Sequence, residues 1–173
     1  MRIVDETGDI FDSGSEILVN PVNCVGVMGK GLALEFAKLF PTMVPEYKKA
    51  CELGVLIPGK CWIWEVPIYS KRSLEYDFKN LRYIVNFPTK NHWRFQSKIS
   101  WIRQGLGSLA LDLRNPLSKD FLNQNSYPTS ISFPALGCSL GGLQWEEVRP
   151  LIIENLKNNF NWFEEVKLYS PYK

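Results

Sequence analysis

Six short runs rich in Val, Ile, Phe, Trp and Tyr recur along the chain: Arg2–Glu6, Ile17–Pro21, Cys61–Val66, Tyr83–Phe87, Ser130–Pro134 and Val166–Ser170. β-Branched and aromatic side chains suit a pleated, half-buried surface, so each run reads as a strand. Between them lie segments with the apolar spacing of amphipathic helices. Ser97–Arg114 is the clearest, with Ile99, Ile102, Leu106, Leu109 and Leu113 on one stripe. Gly31–Phe40 places Leu32, Phe36 and Leu39 on one face and stops at Pro41, and Glu46–Leu53 reads as a shorter helix ending at Gly54. Trp145–Asn158 carries Glu146 and Glu147 in its first turn, where the helix dipole favours negative charge. Pro150 either perturbs that helix or lies near enough to its start to be tolerated. Strands alternating with helices imply an α/β layered domain with a parallel or mixed sheet. Asn115–Thr129, with its Asn, Ser and Pro, is expected to be a long surface loop.

At 173 residues the chain is most simply one domain. Cys24, Cys51, Cys61 and Cys138 form no CxxC pair and no Cys/His cluster, so neither a metal centre nor a cofactor is expected. No signal peptide is recognisable and no apolar run approaches membrane-spanning length, which points to no membrane partner and to free thiols in the cytoplasm. The net charge of +2 does not by itself announce a nucleic-acid binder. Its distribution says more. From Lys79 to Arg103 there are six basic residues (Lys79, Arg82, Lys90, Arg94, Lys98, Arg103), the one histidine, and no acid. That segment is either the footprint of an anionic partner or a solvated basic face.

Two glycine-rich loops follow strands, where ligands sit in open α/β sheets. The first is Asn20-Pro-Val-Asn-Cys-Val-Gly-Val-Met-Gly-Lys-Gly31, and the second is Pro134-Ala-Leu-Gly-Cys-Ser-Leu-Gly-Gly-Leu143. Successive backbone amides turned inward make an anion nest, and a following helix N-terminus adds its positive end. Facing each other, two such loops can grip a diphosphate. Neither GxxxxGK[ST] nor GxGxxG occurs in the first loop. Asn20 and Asn23 have the donors and acceptors for ribose hydroxyls, although Asn20-Pro21 also reads as an ordinary turn. Gly8-Asp9-Ile10 follows the first strand, and its carboxylate suits an adenine amino group or a turn cap.

Together these pieces resemble a macro domain, the ADP-ribose-binding α/β module. The resemblance rests on Gly8-Asp9-Ile10, on Asn20-Pro-Val-Asn23 with its glycine loop, and on Pro134-x-Leu-Gly-Cys-x-x-Gly-Gly-Leu-x-Trp145. It covers nearly the whole chain, so residues 1–173 are expected to form a single macro domain. It implies three α/β/α layers around a mixed six-stranded sheet. It also makes Asp9 the adenine partner with the Ile10 backbone beside it, and puts Asn23 near the distal ribose. Gly29, Lys30 and Gly31 would line one phosphate loop; Gly137, Cys138, Ser139, Leu140 and Gly141 would line the other. Within the family, Val22–Ala33, Asn86–Arg94 and Leu136–Trp145 are most similar to the DNA ADP-ribosyl glycohydrolase antitoxins, which remove ADP-ribose from thymidine in DNA. That similarity implies ADP-ribose, ADP-ribosylated single-stranded DNA and a cognate ADP-ribosyltransferase toxin as partners. Antitoxins of this type carry a further C-terminal domain, so this sequence is expected to be either a piece of such a chain or a stand-alone relative. Family members acting on proteins have a catalytic aspartate where this chain has Gly141.

Breaking a C–N glycosidic bond requires a group that stabilises the leaving base or traps the sugar carbon. Two carboxylates are the usual solution, and neither glycine loop contains one. On its own Lys90 reads as an exposed loop lysine; the resemblance, in which related ADP-ribose glycohydrolases share a lysine just after this strand, implies that Lys90 is the catalytic group. It is expected in a loop after Tyr83–Phe87, with a pKa lowered by partial burial and by Arg94 and Lys98, and so suited to act as nucleophile or acid. Trp93 can stack on a base and Arg94 can meet a phosphate, with His92 beside them as a further DNA contact; core filling by Trp93 and an ordinary loop role for His92 are the plainer readings. The competing functional readings are a non-catalytic ADP-ribose reader and a hydrolase acting on ADP-ribosylated proteins or small ADP-ribose phosphates or esters.

Overall fold

A computed structural model of the protein describes residues 1–114 and 127–171. The expected surface loop at 115–129 therefore lies outside the described residues, apart from its last three positions. Six strands form one sheet: β1 (Arg2–Glu6), β2 (Ile17–Asn23), β3 (Trp62–Glu65), β4 (Tyr83–Lys90), β5 (Ser130–Phe133) and β6 (Glu165–Tyr169). Their spatial order is β1-β6-β5-β2-β4-β3, and every pair is parallel except β3 against β4. The described α-helices are α1 (Gly31–Leu39), α2 (Met43–Glu52), α3 (Ile99–Arg114) and α4 (Trp145–Asn159).

The strand alternation divides the core into two halves. Ile17 and Val19 of β2, with Val85 and Phe87 of β4, face Ile102, Leu106 and Leu109 of α3 and Val148, Ile152 and Leu156 of α4. Leu18 and Val22 of β2, with Ile84 of β4, face Phe36 of α1 and Met43 and Tyr47 of α2. Side chains along a strand point alternately to opposite faces, so one sheet serves both helical layers and the expected α/β/α sandwich results. Burial of a side chain the size of Phe36 or Phe87 contributes about 1.5–3 kcal/mol.

Several boundaries differ from expectation for local reasons. Helix α2 starts at Met43 rather than Glu46, which places Pro45 in the first turn, where a missing N–H costs nothing. Pro150 does not interrupt α4, which runs on to Asn159. The carbonyl it fails to reach belongs to exposed Glu146, where water can substitute. Strand β4 continues to Lys90 instead of ending at Phe87, and β2 continues to Asn23, because the two go on pairing through Asn23 and Lys90 across a bulge. The β4 extension contains Pro88, and the β2 extension follows directly on Pro21. By Pro21 the β5 pairing has ended, and by Pro88 the β3 pairing has ended, so each proline lies where one side of its strand is open.

Candidate functional site

The five parallel strands end at one edge of the sheet, and that edge collects the residues of interest. Asp9 follows β1, the first glycine loop follows β2, Lys90 ends β4, and the second glycine loop follows β5. In the strand order, β5, β2 and β4 are neighbours, so both loops and Lys90 adjoin. Asp9 lies at the other end, four strand spacings from β4, or about 19 Å.

Asn23 folds the first loop. Its Oδ1 accepts the Val25 amide at 3.1 Å and the Val27 amide at 3.4 Å, and its Nδ2 donates to the Val27 carbonyl at 2.6 Å. From below, the buried Tyr47 hydroxyl donates to the Asn23 carbonyl at 2.7 Å. Asn23 thus has one side-chain N–H left for a ligand. The backbone amides of Gly29, Lys30 and Gly31 donate to no group among the described residues. They lie at the start of α1, whose cap residue Lys30 makes no side-chain capping bond. Gly31 opens that helix at φ +57°, a left-handed conformation that glycine adopts without strain. A row of free amides at a helix N-terminus is an anion-binding arrangement. Asn20 takes neither role expected of it. It lies within β2, fully buried, with Nδ2 donating to Asn86 Oδ1 at 3.0 Å and lying 4.0 Å from Met28 Sδ, so it supports the loop from beneath.

In the second loop Ser139–Gly141 makes a single 3-10 turn. Ser139, at φ +58°, is the one non-glycine residue with positive φ among those described, and such strain concentrates at functional loops. The amides of Ser139 and Leu140 have no acceptor among the described residues. The Cys138 side chain is buried, its thiol pushed up to about 11 by burial and then by Glu146, so only its backbone belongs to the loop surface. A Cβ on Gly141 would run into Ser97 Oγ, and the Ser97 amide donates to the Gly141 carbonyl at 2.9 Å. Gly141 is therefore pressed against the start of α3, with no room for an acid. The two loops meet where Leu140 Cδ1 stands 3.5 Å from a Cβ placed on Gly31.

Lys90 projects onto the second loop. Its Nζ donates to the Leu140 carbonyl at 2.6 Å and lies 3.5 Å from the Trp93 carbonyl. Its pKa is lowered by burial. Arg94 and Lys98, expected to contribute, do not figure among the causes. The expectation of a loop lysine is corrected as well: Lys90 is the last residue of β4, which fixes its backbone in the sheet ladder.

The turn after Lys90 is aromatic and exposed. The Arg94 guanidinium carbon sits 4.7 Å from the Trp93 ring centroid, and the His92 ring stacks on Trp93 at 5.2 Å and approaches Phe95 at 5.5 Å. The Arg94 amide donates to His92 Nδ1, which holds the turn together. Trp93 is 49% exposed and Phe95 64%, so neither fills the core. Arg94 and Lys98 have no acidic partner among the described residues, whereas Lys79 pairs with Asp77 and Arg82 with Glu16. The basic segment is thus locally neutralised at its start and open near the cleft.

At the far end, Asp9 Oδ1 accepts the Phe11 amide at 2.9 Å, capping the 3-10 turn Ile10–Asp12, and Oδ2 accepts the Tyr76 hydroxyl at 2.8 Å. Ile10 is buried beside it. Sequence reading did not single out Tyr76, Tyr47, Ser97 or Phe95. Ser97 read as the start of a helix, and nothing local marks the other three. Glu35, the first acid after the first loop in sequence, pairs with Lys38 on the exposed face of α1. No three His, Cys, Asp or Glu side chains among the described residues are grouped to hold a metal ion.

This combination of sheet order, two amide-lined loops and a terminal acid is that of a known module. Residues 19–152 match the Macro domain family model, and the chain belongs to the macro domain family. It is 38% identical to the DNA ADP-ribosyl glycohydrolase of Mycobacterium tuberculosis over 147 residues, which is 85% of this chain and 36% of that relative. A DNA ADP-ribosyl transferase–DNA ADP-ribosyl glycohydrolase fusion protein of Thermosipho africanus is 34% identical over 155 residues, 86% of this chain and 37% of that one. The chain therefore spans about a third of the length of these curated relatives. Among solved structures, the macrodomain of M. tuberculosis DarG superposes with a TM-score of 0.80 at 35% identity, covering 99% of each chain. T. africanus DarTG in complex with ADP-ribose superposes at 0.75 with 32% identity, over 97% of this chain and 42% of that one.

Proposed function

We infer that the protein removes ADP-ribose from thymidine bases in DNA and thereby counters a DNA ADP-ribosyltransferase toxin, with residues 1–173 acting as one macro domain. The observation that carries this reading is Lys90, half-buried against the second amide-lined loop and lowered in pKa by that burial. The names of the Mycobacterium and Thermosipho relatives support it. Four free thiols agree with work in the cytoplasm, and no helix among the described residues is long and apolar enough to cross a membrane.

In this reading ADP-ribose lies along the sheet edge. Asp9 accepts from the adenine amino group beside the Ile10 backbone. The amides of Gly29, Lys30 and Gly31 on one side, and of Ser139 and Leu140 on the other, hold the diphosphate. Asn23 offers its remaining N–H to the distal ribose. Trp93 stacks on a base of the strand, with Arg94 on a phosphate and His92 behind the indole. The neutral Lys90 amine adds to the anomeric carbon of the distal ribose as its bond to the thymine nitrogen breaks. That nitrogen takes the bonding pair and then the proton the amine gives up. Water next replaces the lysine at the same carbon, releasing ADP-ribose and restoring the amine.

Incubation with an oligonucleotide carrying ADP-ribosylated thymidine tests this. Wild-type protein releases ADP-ribose, and Lys90→Ala slows release by about 100-fold or more. No release by wild type, or undiminished release by Lys90→Ala, refutes it. One observation favours a second reading, a non-catalytic ADP-ribose reader: neither loop carries a carboxylate, and Gly141 has no space for one. Tight calorimetric binding of ADP-ribose without turnover on DNA or protein substrates would establish that reading instead.

A further inference from the structure

We propose that Tyr76 is a specificity-determining positioning residue: it locks the Asp9 carboxylate in the orientation that selects a 6-amino purine over a 6-oxo purine. This rests on the ADP-ribose reading above and deepens it at the base end of the cleft. Tyr76 belongs to neither glycine loop and to no regular element. It lies in the long connection between β3 and β4, sixty-seven positions from Asp9 in the chain, and its hydroxyl donates to Asp9 Oδ2 at 2.8 Å.

The phenol cannot easily leave that bond. Its ring stacks on Phe78 with centroids 5.6 Å apart and an interplanar angle of 24°, and it packs against Phe11 at 5.4 Å. Phe78 is buried, and Phe11 packs edge-on to Phe36 of α1 at 4.7 Å. The Tyr76 amide is fixed in turn by Ser73 Oγ at 3.1 Å. The ring is therefore seated in the same aromatic cluster that anchors α1, and the hydroxyl it presents is fixed by packing rather than by a flexible stem.

The consequence for Asp9 follows from counting lone pairs. The Phe11 amide occupies one oxygen and the Tyr76 hydroxyl the other. With both oxygens engaged, the carboxylate has a single orientation, and each oxygen retains a lone pair of defined direction. An exocyclic amino group can donate into such a lone pair. A carbonyl at the same ring position would set acceptor against acceptor. Discrimination of this kind is strongest when the acceptor cannot rotate away from the wrong base, because a mismatched polar pair then stays unsatisfied. The hydrogen bond to Asp9 also disfavours ionisation of the phenol, so Tyr76 remains a donor at neutral pH.

The test is calorimetry of ADP-ribose and inosine diphosphate ribose with wild type and Tyr76→Phe, together with kcat and KM on the ADP-ribosylated oligonucleotide. Tyr76→Phe keeps the stacked ring and removes only the hydroxyl. It is expected to weaken ADP-ribose binding about tenfold and to erode the preference over the inosine nucleotide by a similar factor, raising KM while kcat stays within about twofold. Unchanged ADP-ribose affinity in Tyr76→Phe, or equal loss for both nucleotides, overturns the assignment of Tyr76 alone. Wild-type protein that binds neither nucleotide overturns the ADP-ribose reading and this inference with it.

Discussion

Lys90 Nζ donates to the Leu140 carbonyl at 2.6 Å, so the last residue of β4 is tied to a glycine loop fifty positions further along the chain. The bond pins the amine on the second loop. The burial that accompanies it lowers the pKa, and both properties bear on the proposed chemistry.

Burial disfavours the ammonium form, so the neutral amine appears below the usual lysine range. Release of ADP-ribose should therefore rise with pH through that lowered pKa and level off above it. Lys90→Arg, which stays charged, should lose activity at every pH. Single-turnover rates between about pH 6 and 10 check this; a flat profile for wild type would remove the nucleophile role.

The same shift has a stability consequence. With the folded-state pKa below the unfolded one, the unfolded chain binds more protons between the two values, and stability from this site rises with pH across that window. Below the window, the half-buried cation costs stability. Lys90→Met should accordingly raise the melting temperature at pH 7 by about 1–2 °C and show no gain at pH 11. Scanning calorimetry at the two pH values reads the difference.

Gly141 lies against Ser97, with no space for a Cβ. Gly141→Ala is expected to cost about 1–3 kcal/mol and to weaken ADP-ribose binding, since the loop must shift to relieve the overlap. Ser97→Gly in the same chain should restore much of both. A double-mutant cycle by urea denaturation measures the coupling, and additive effects would show that the contact does not set the loop position.

Trp93 and Arg94 form an exposed stacked pair with no role in the core. Trp93→Ala should weaken binding of the ADP-ribosylated oligonucleotide about tenfold while leaving free ADP-ribose unaffected. Arg94→Ala should lower the slope of log affinity against log salt by about 0.7, as expected for one phosphate contact on a single strand. Fluorescence titrations between 50 and 200 mM salt, a range of about fourfold, resolve both effects.

Tyr47 is fully buried, and its hydroxyl holds the Asn23 carbonyl at 2.7 Å. Tyr47→Phe removes the hydroxyl from that carbonyl and from Asn23 Oδ1, leaving the carbonyl only the long Cys51 Sγ contact at 4.0 Å, and is expected to cost about 1–3 kcal/mol in urea denaturation. ADP-ribose affinity should fall with it, because Asn23 carries the hydrogen bonds that shape the first loop.

Much of this architecture was readable from the chain. Runs of β-branched and aromatic residues located every described strand, and amphipathic stripes with helix start and stop signals located every described α-helix, because these are local properties of the sequence. Boundaries failed where pairing reached past the local signal. Phe87-Pro-Thr-Lys90 looks like the start of a loop, yet it remains a strand because β2 continues beside it. Asn20-Pro21 looks like a turn and is instead strand interior, with Asn20 matched to Asn86 across the β2–β4 ladder. The basic run from Lys79 to Arg103 is less open than its composition suggests, since Asp77 and Glu16 neutralise Lys79 and Arg82, two of its six cations.

By itself, the sequence determined the layered α/β class, the two glycine loops after β2 and β5, and the family to which their motifs belong. Those depend on neighbours within a few residues. Only the tertiary structure decided that Lys90 is half-buried against Leu140, that Ser97 closes off Gly141, and that Tyr76 holds Asp9. Each of these contacts joins residues far apart in the chain. The strand order β1-β6-β5-β2-β4-β3 and the packing of helices on both faces bring them together, and no local periodicity encodes which distant side chains will meet.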